Sequence, residues 1–135
     1  MIKFHPKKGT ILMCDFSEGF KSPEMVKVRP VIVVAPALPG RNGLCTVVAL
    51  STVKPKVLQL YQHEMSQESL KELSSDLSWA KCDMIYTVSF DRLDRIKVRL
   101  DGGKRGYITG KATAEDLLAV EEAILKGLGL MRYFK

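Results

Sequence analysis

Histidine and cysteine are scarce in this 135-residue sequence, which has only His5, His63, Cys14, Cys45 and Cys82. The three cysteines are odd in number, widely spaced and set in or beside strand-like runs. That pattern argues against a disulfide framework and against a Cys-x-x-Cys zinc site, and three buried, reduced thiols are expected. The two isolated histidines form no metal pair and no motif-placed Ser-His-Asp arrangement, so each is expected to be a surface or packing residue. A glycine-rich phosphate loop is missing, as is any apolar run approaching the length of a membrane span. No basic-then-apolar segment precedes a small-residue cleavage site. These absences lead to an expectation of cytoplasmic residence with no membrane partner. No repeat, low-complexity tract or linker interrupts the chain. With 46% hydrophobic residues it reads as one domain, residues 1–135, with a single core.

What is present is positive charge, and it is unevenly placed. The formal charge is +6; residues 1–56 carry nine Lys and Arg against three acids, and residues 81–111 carry eight against four. Residues 57–80 and 112–135 are net acidic. The basic stretches coincide with the strand-like ones, which is the footprint of a surface that attracts phosphates, although charge alone serves an acidic protein partner equally well.

Strand chemistry centres on residues 25–56. Residues 31–35 and 46–50 are rich in β-branched side chains, and residues 36–43, with two prolines and two glycines, supply a turn between them. Antiparallel pairing about Gly40 makes positions summing to 80 face one another, which sets Arg29 opposite Ser51; a slip of one residue sets it opposite Thr52. Opposed residues share a sheet face with Cβ atoms roughly 4.5–5.5 Å apart. Either register brings one guanidinium beside one hydroxyl.

Elsewhere residues 10–16 read as a first strand, and residues 17–27 as a loop too long for a tight turn. Residues 57–61 are strand-like in length. Ser66 caps a helix whose apolar face is Leu70, Leu73 and Leu77. In a strand over residues 78–88, Lys81 and Asp83 share a face with Trp79 and Ile85. Residues 90–101 read as an outer strand, with Lys97 and Arg99 on the face away from Ile96, Val98 and Leu100. Thr113 caps a helix over residues 114–126, with Asp116 at the capping-box position and Gly127 as the stop. Short strands with a C-terminal helix predict a mostly β fold, a small, strongly bent barrel with decorating helices.

Lys8-Gly9-Thr10-Ile11-Leu12 leading to Asp15-Phe16, then Gly19-Phe20, Lys27 to Val33, the Ser51-Thr52 step, and Ser78-Trp79 through Ile85 to Val88 resemble, in order, the PemK/MazF family of toxin endoribonucleases. The resemblance runs from about Lys7 to Leu130. It departs from the family's pattern at Thr10, where an acidic residue is usual, and at Ser51, where many members have threonine. It implies an SH3-like β-barrel of the CcdB/PemK type, paired as a homodimer. The implied activity is cleavage of single-stranded mRNA at short sequences, without metal or other cofactor, leaving a cyclic phosphate. It also implies a cognate antitoxin that lays an acidic segment over the basic groove and binds DNA together with the toxin.

The residues suit that chemistry. The RNA 2′-hydroxyl can attack the adjacent phosphorus, so the protein need only orient the attack, move protons and stabilise charge on the phosphate oxygens. Arg29 supplies fixed bidentate positive charge, and Ser51 or Thr52 a hydrogen-bonding hydroxyl. Lys27, Lys54 and Lys56 form a candidate phosphate track at the open end of the hairpin. Phe20 and Lys21 stand on the 17–27 loop, which the resemblance places along the RNA groove, and Lys81 and Asp83 are further candidates for lining it. A purely structural Arg29 would pair with Asp15, Glu18 or Glu24. Two other functions compete: a toxin-like barrel that binds a protein such as DNA gyrase and cuts nothing, and a barrel that binds RNA without cleaving it.

Overall fold

The β-branched runs form the middle of a curled antiparallel sheet in the computed structural model, which describes residues 1–74 and 77–133. The strands are β1 (Thr10–Asp15), β2 (Val28–Val33), β3 (Leu44–Ser51), β4 (Gln62–Glu64), β5 (Trp79–Ser89), β6 (Leu93–Asp94), β7 (Ile96–Arg99), β8 (Arg105–Ile108) and β9 (Gly110–Lys111). Seven of them make one sheet in the order β4-β5-β3-β2-β1-β6, with β9 also on β1, while β7 and β8 form a separate two-stranded ribbon. The helices are α1 (Gln67–Leu70) and α2 (Ala114–Gly127). The result is a mostly β half-barrel with a C-terminal helix.

β2 and β3 read as continuous apolar runs because both faces of the central sheet are covered. On one face Ile11, Ile32, Val48 and Leu50 pack with Val120 and Ala123 of α2. On the other, Leu12, Cys14, Val31, Val47 and Ala49 pack with Phe16, Met25 and Val88. Val47, Val48 and Leu50 are wholly buried, and each such side chain stabilises the fold by about 1.5–3 kcal/mol. At Gly110 an added Cβ would stand 3.0 Å from Ile11 Cβ, so glycine lets β9 lie this close to β1 without displacing Ile11.

Several boundaries move from their sequence expectations. β2 starts three residues early and takes Arg29 and Pro30 into the sheet. Residues 57–61 are not a strand; pairing begins at Gln62. The helix capped by Ser66 stops after Leu70, so Leu77, half exposed, does not extend its apolar face, and residues 75–76 of that predicted helix lie outside the described residues. Residues 90–101 break into a 3-10 turn, β6 and β7, yet the alternation of Ile96 and Val98 inward with Lys97 and Arg99 outward holds. In β5, Lys81 stands opposite Ala49 and Ile85 opposite Val48. Ala49 and Val48 are neighbours facing opposite sides, so the intervening bulge turns Ile85 away from the face of Trp79 and Lys81, contrary to regular alternation.

α2 begins as its sequence indicates, with the Asp116 N–H donating to Thr113 Oγ1 at 3.1 Å. The Asp116 carboxylate does not return to the Thr113 backbone. It accepts from the Ser66 hydroxyl at 2.6 Å, the Ser66 N–H at 3.0 Å and the Ser69 hydroxyl at 2.5 Å, and meets His63 Nε2 at 2.8 Å. The Thr113 N–H donates instead to Ser69 Oγ. One buried carboxylate thereby ties β4, α1 and α2 together. Burial alone would raise the Asp116 pKa; the Ser66 and Ser69 hydroxyls, His63 and the Ser66 N–H outweigh it and hold the group at about 2. The cluster contains serine, histidine and aspartate, but its hydroxyls donate to the carboxylate rather than to the imidazole, so it is not wired to activate a nucleophile.

Candidate active site

Arg29 sits on β2 opposite Cys14 of β1. The β2–β3 ladder pairs Val31 with Ala49, Ile32 with Val48 and Val33 with Val47, every pair summing to 80. The ladder ends at Val31 and Ala49; continued by two residues, its register would set Arg29 across from Ser51. Ser51 in turn pairs with Trp79, and Ala49 with Lys81, on β5. Period-two alternation therefore gathers Arg29, Ser51, Trp79 and Lys81 on one face, and it sends Val28 and Pro30 to the other.

Arg29 is half-buried, and its Nε is covered without any hydrogen-bond partner. Among the described residues it makes no ion pair. Two of the three acids considered as its partners are engaged elsewhere. The Asp15 carboxylate accepts from the Ser17 N–H and hydroxyl, which hold its pKa below the usual range, and Glu24 accepts from the Lys21 N–H at 2.7 Å. A covered donor left unpaired costs about 1–3 kcal/mol. Among the described residues the fixed charge of Arg29 thus meets no compensating acid.

The two hydroxyl candidates separate. Ser51 is buried, and its Oγ accepts from the Val53 N–H at 3.2 Å; its own proton is committed to no acceptor among the described residues. Thr52 lies past the strand end and is exposed. It lines a cavity of about 630 Å³ together with Val28, Pro30 and Ser78, on the face away from Arg29. Ser78 Oγ, also buried, has no partner among the described residues.

The chain reaches Arg29 through residues 17–27, and aromatic packing holds that loop. The rings of Phe16 and Tyr86 are 5.1 Å apart, and Phe20 stands edge-on to both at 5.1 and 5.4 Å. The Arg92 guanidinium covers Phe20 at 4.8 Å and donates to the Asp15 carbonyl, and the Met25 N–H donates to Tyr86 Oη. Phe20 therefore spends its ring on packing. Tyr86 and Arg92 carry this arrangement and were not singled out from the sequence, because both are distant in the chain. Lys27 has φ +79°, a strained value for a residue with a side chain, and its carbonyl accepts from the Phe16 N–H.

The remaining sequence candidates are dispersed. Lys21, Lys27, Lys54 and Lys56 are exposed, Lys81 is half exposed beside the Arg29 face, and Asp83 is exposed in the β5 bulge. The three cysteines are buried and free; burial pushes Cys14 and Cys82 up to about 12 and Cys45 to about 11, so none is a nucleophile at neutral pH. His5 is packed edge-on against Phe90. Among the described residues no group of three or more His, Cys, Asp or Glu is placed to hold a metal ion, and no helix is long and apolar enough to cross a membrane.

Residues 7–128 match the family of PemK-like, MazF-like toxins of type II toxin-antitoxin systems. The chain is similar to YifN of Escherichia coli K12, 29% identical over 147 residues that cover 94% of each protein. Its fold is similar to that of a mycobacterial endoribonuclease solved with its cognate antitoxin, at TM-score 0.64 and 20% identity, covering 93% of this chain and 96% of that one. It is likewise similar to MazF from Deinococcus radiodurans, at TM-score 0.66 and 16% identity, covering 94% of this chain and 99% of that one.

Proposed function

Since the chain belongs to the PemK-like, MazF-like toxin family of type II toxin-antitoxin systems, we propose that it is an endoribonuclease that cuts single-stranded RNA by in-line attack of the RNA's own 2′-hydroxyl. The observation that carries this reading is Arg29, a half-buried guanidinium with no counter-ion among the described residues, two residues beyond the end of the ladder that pairs Val31 with Ala49. In the reaction the 2′-hydroxyl gives up its proton to solvent water as its oxygen bonds to phosphorus, the bond from phosphorus to the 5′-oxygen breaks, and the departing oxygen takes up a proton. A 2′,3′-cyclic phosphate remains on one fragment and a 5′-hydroxyl on the other. Arg29 stabilises the negative charge that grows on the phosphate oxygens, and the Ser51 hydroxyl donates a hydrogen bond to one of them. Because arginine holds its proton far above neutral pH, donation to the leaving oxygen is its secondary role. No step requires a metal-bound water.

Thr52, on the cavity side, positions the strand rather than touching the reacting phosphate. Ser51→Ala is therefore expected to lower kcat about 100-fold, whereas Thr52→Ala raises KM several-fold with kcat little changed. Single-turnover cleavage of a labelled RNA separates the two, and a larger kcat loss in Thr52→Ala would exchange their roles. The same reading includes cytoplasmic action, pairing of two chains as a homodimer, which light scattering reads directly, and restraint by an antitoxin whose acidic segment covers Arg29 and the lysines around it.

A further inference from the structure

The β7–β8 ribbon lies outside the main sheet and is held to it through one face only. Ile96 is buried in the core and Val98 packs against it, and the side chain of Leu100 lies within 2.8 Å of where a Cβ on Gly106 would stand. The register pairs Lys97 with Tyr107 and Arg99 with Arg105, so these four side chains share the opposite face, and all four are exposed. Arg99 and Arg105 are like charges placed directly across from each other, a pairing that costs stability in an isolated ribbon. Among the described residues neither they nor Lys97 forms an ion pair. Arg95 stacks over the Tyr107 ring at 5.1 Å, leaving an aromatic surface framed by cations.

Two cavities lie along this face, and the larger reaches Thr52 at the end of β3, on the side of the sheet away from Arg29. The one lined by Thr52 and Pro30 is also lined by Arg95 and Lys97, and a cleft of about 230 Å³ is lined by Lys97, Val98, Arg99 and Arg105. Lys97 belongs to both. The first cavity is lined by Asp15, Glu72 and Asp94 as well as by Arg95 and Lys97, whereas the second holds Lys97, Arg99 and Arg105 with no acid in its lining. Successive same-face positions on a strand are about 6.6 Å apart, a spacing that suits neighbouring phosphates on an extended single strand.

We propose that the outer face of the β7–β8 ribbon is a second RNA-binding site. Lys97, Arg99 and Arg105 take the phosphate backbone of the strand beyond the cleaved step, and Tyr107 stacks on a base. This rests on RNA being the ligand of the Arg29 site. Rows of cations two residues apart with an interleaved aromatic suit a polymer carrying both phosphates and bases better than an acidic polypeptide, which offers no base to stack.

The test uses the full chain and a 2′-O-methylated single-stranded RNA, which lacks the attacking hydroxyl and so reports binding alone. Fluorescence anisotropy across a salt series compares wild type with the double variant Arg99→Ala/Arg105→Ala. Losing two phosphate contacts should weaken binding roughly tenfold at low salt and reduce the slope of log affinity against log salt by about 1.4. Arg99→Lys/Arg105→Lys should keep most of that slope. Removing the opposed charges relieves repulsion, so the Ala variant should melt no lower than wild type. An unchanged slope in the Ala variant overturns the proposal, as does loss of affinity for polyglutamate with RNA affinity untouched. If the chain cleaves no RNA yet the slope falls, the ribbon site stands and the nuclease reading fails; if it cleaves and the slope is unchanged, the reverse holds.

Discussion

Replacing Arg29 by alanine is expected to reduce RNA cleavage by about 100- to 1,000-fold while leaving the protein as stable as wild type or slightly more so. The two halves of that expectation have one cause. A guanidinium committed to the fold would be neutralised by a carboxylate, and its loss would leave that acid stranded and destabilise the protein. Among the described residues Arg29 has no such partner, and its covered Nε is unpaired, so the fold loses little when it goes. The reaction loses the charge that faces the phosphate. Arg29→Lys keeps a positive charge but not the bidentate fork, and its activity should fall between the two. Cleavage rates together with thermal melts read both effects. A variant that cleaves normally and melts many degrees lower would make Arg29 a structural residue.

The largest effect on stability is expected at Asp116. Asp116→Ala removes the acceptor for the Ser66 N–H, two hydroxyls and His63 in one step, leaving buried polar groups without partners at a cost of about 3 kcal/mol or more. Asp116→Asn keeps the shape and one acceptor and should cost less. The same contacts set a pH dependence. The Asp116 pKa is depressed from 3.8 to about 2, so its contribution is fully present above about pH 4 and is lost as pH falls through 2. That contribution amounts to roughly 2 kcal/mol. Urea unfolding between pH 5 and pH 2 should show wild type losing stability that Asp116→Ala has already lost. Parallel curves for the two proteins would show that the carboxylate is not the hub.

What the sequence revealed and what it hid follow from the range of the interactions. The register of β2 on β3, with every paired position summing to 80, was legible because two β-branched runs flank a turn centred on Gly40, and hairpin pairing is local. The cap at Thr113 and the outward Lys97 and Arg99 were legible for the same reason, since both follow from neighbours two to three residues away. The β5 bulge was not: regular alternation puts Lys81 and Ile85 on one face, and only the partners Ala49 and Val48 on β3 show that the register shifts. The contacts that Ser66 and Ser69 make with Asp116 were hidden too, since their partner lies 50 and 47 residues away. Lysine counts marked a basic surface, but which cations lie beside Arg29 depends on strand order. That order places Lys81 near the site and Lys97 beside the outlying ribbon.

The central claim is that RNA supplies its own nucleophile and Arg29 the charge that stabilises the reaction. The measurement that reaches it most directly is incubation of the purified, antitoxin-free protein with a long single-stranded RNA in excess EDTA, followed by mapping and chemical identification of the new ends. Discrete cuts bearing a 2′,3′-cyclic phosphate, abolished by a single 2′-deoxy substitution at the cut site, are the expected result. Intact RNA in the presence of a demonstrably folded protein, or cleavage that appears only when a divalent metal is restored, would contradict it.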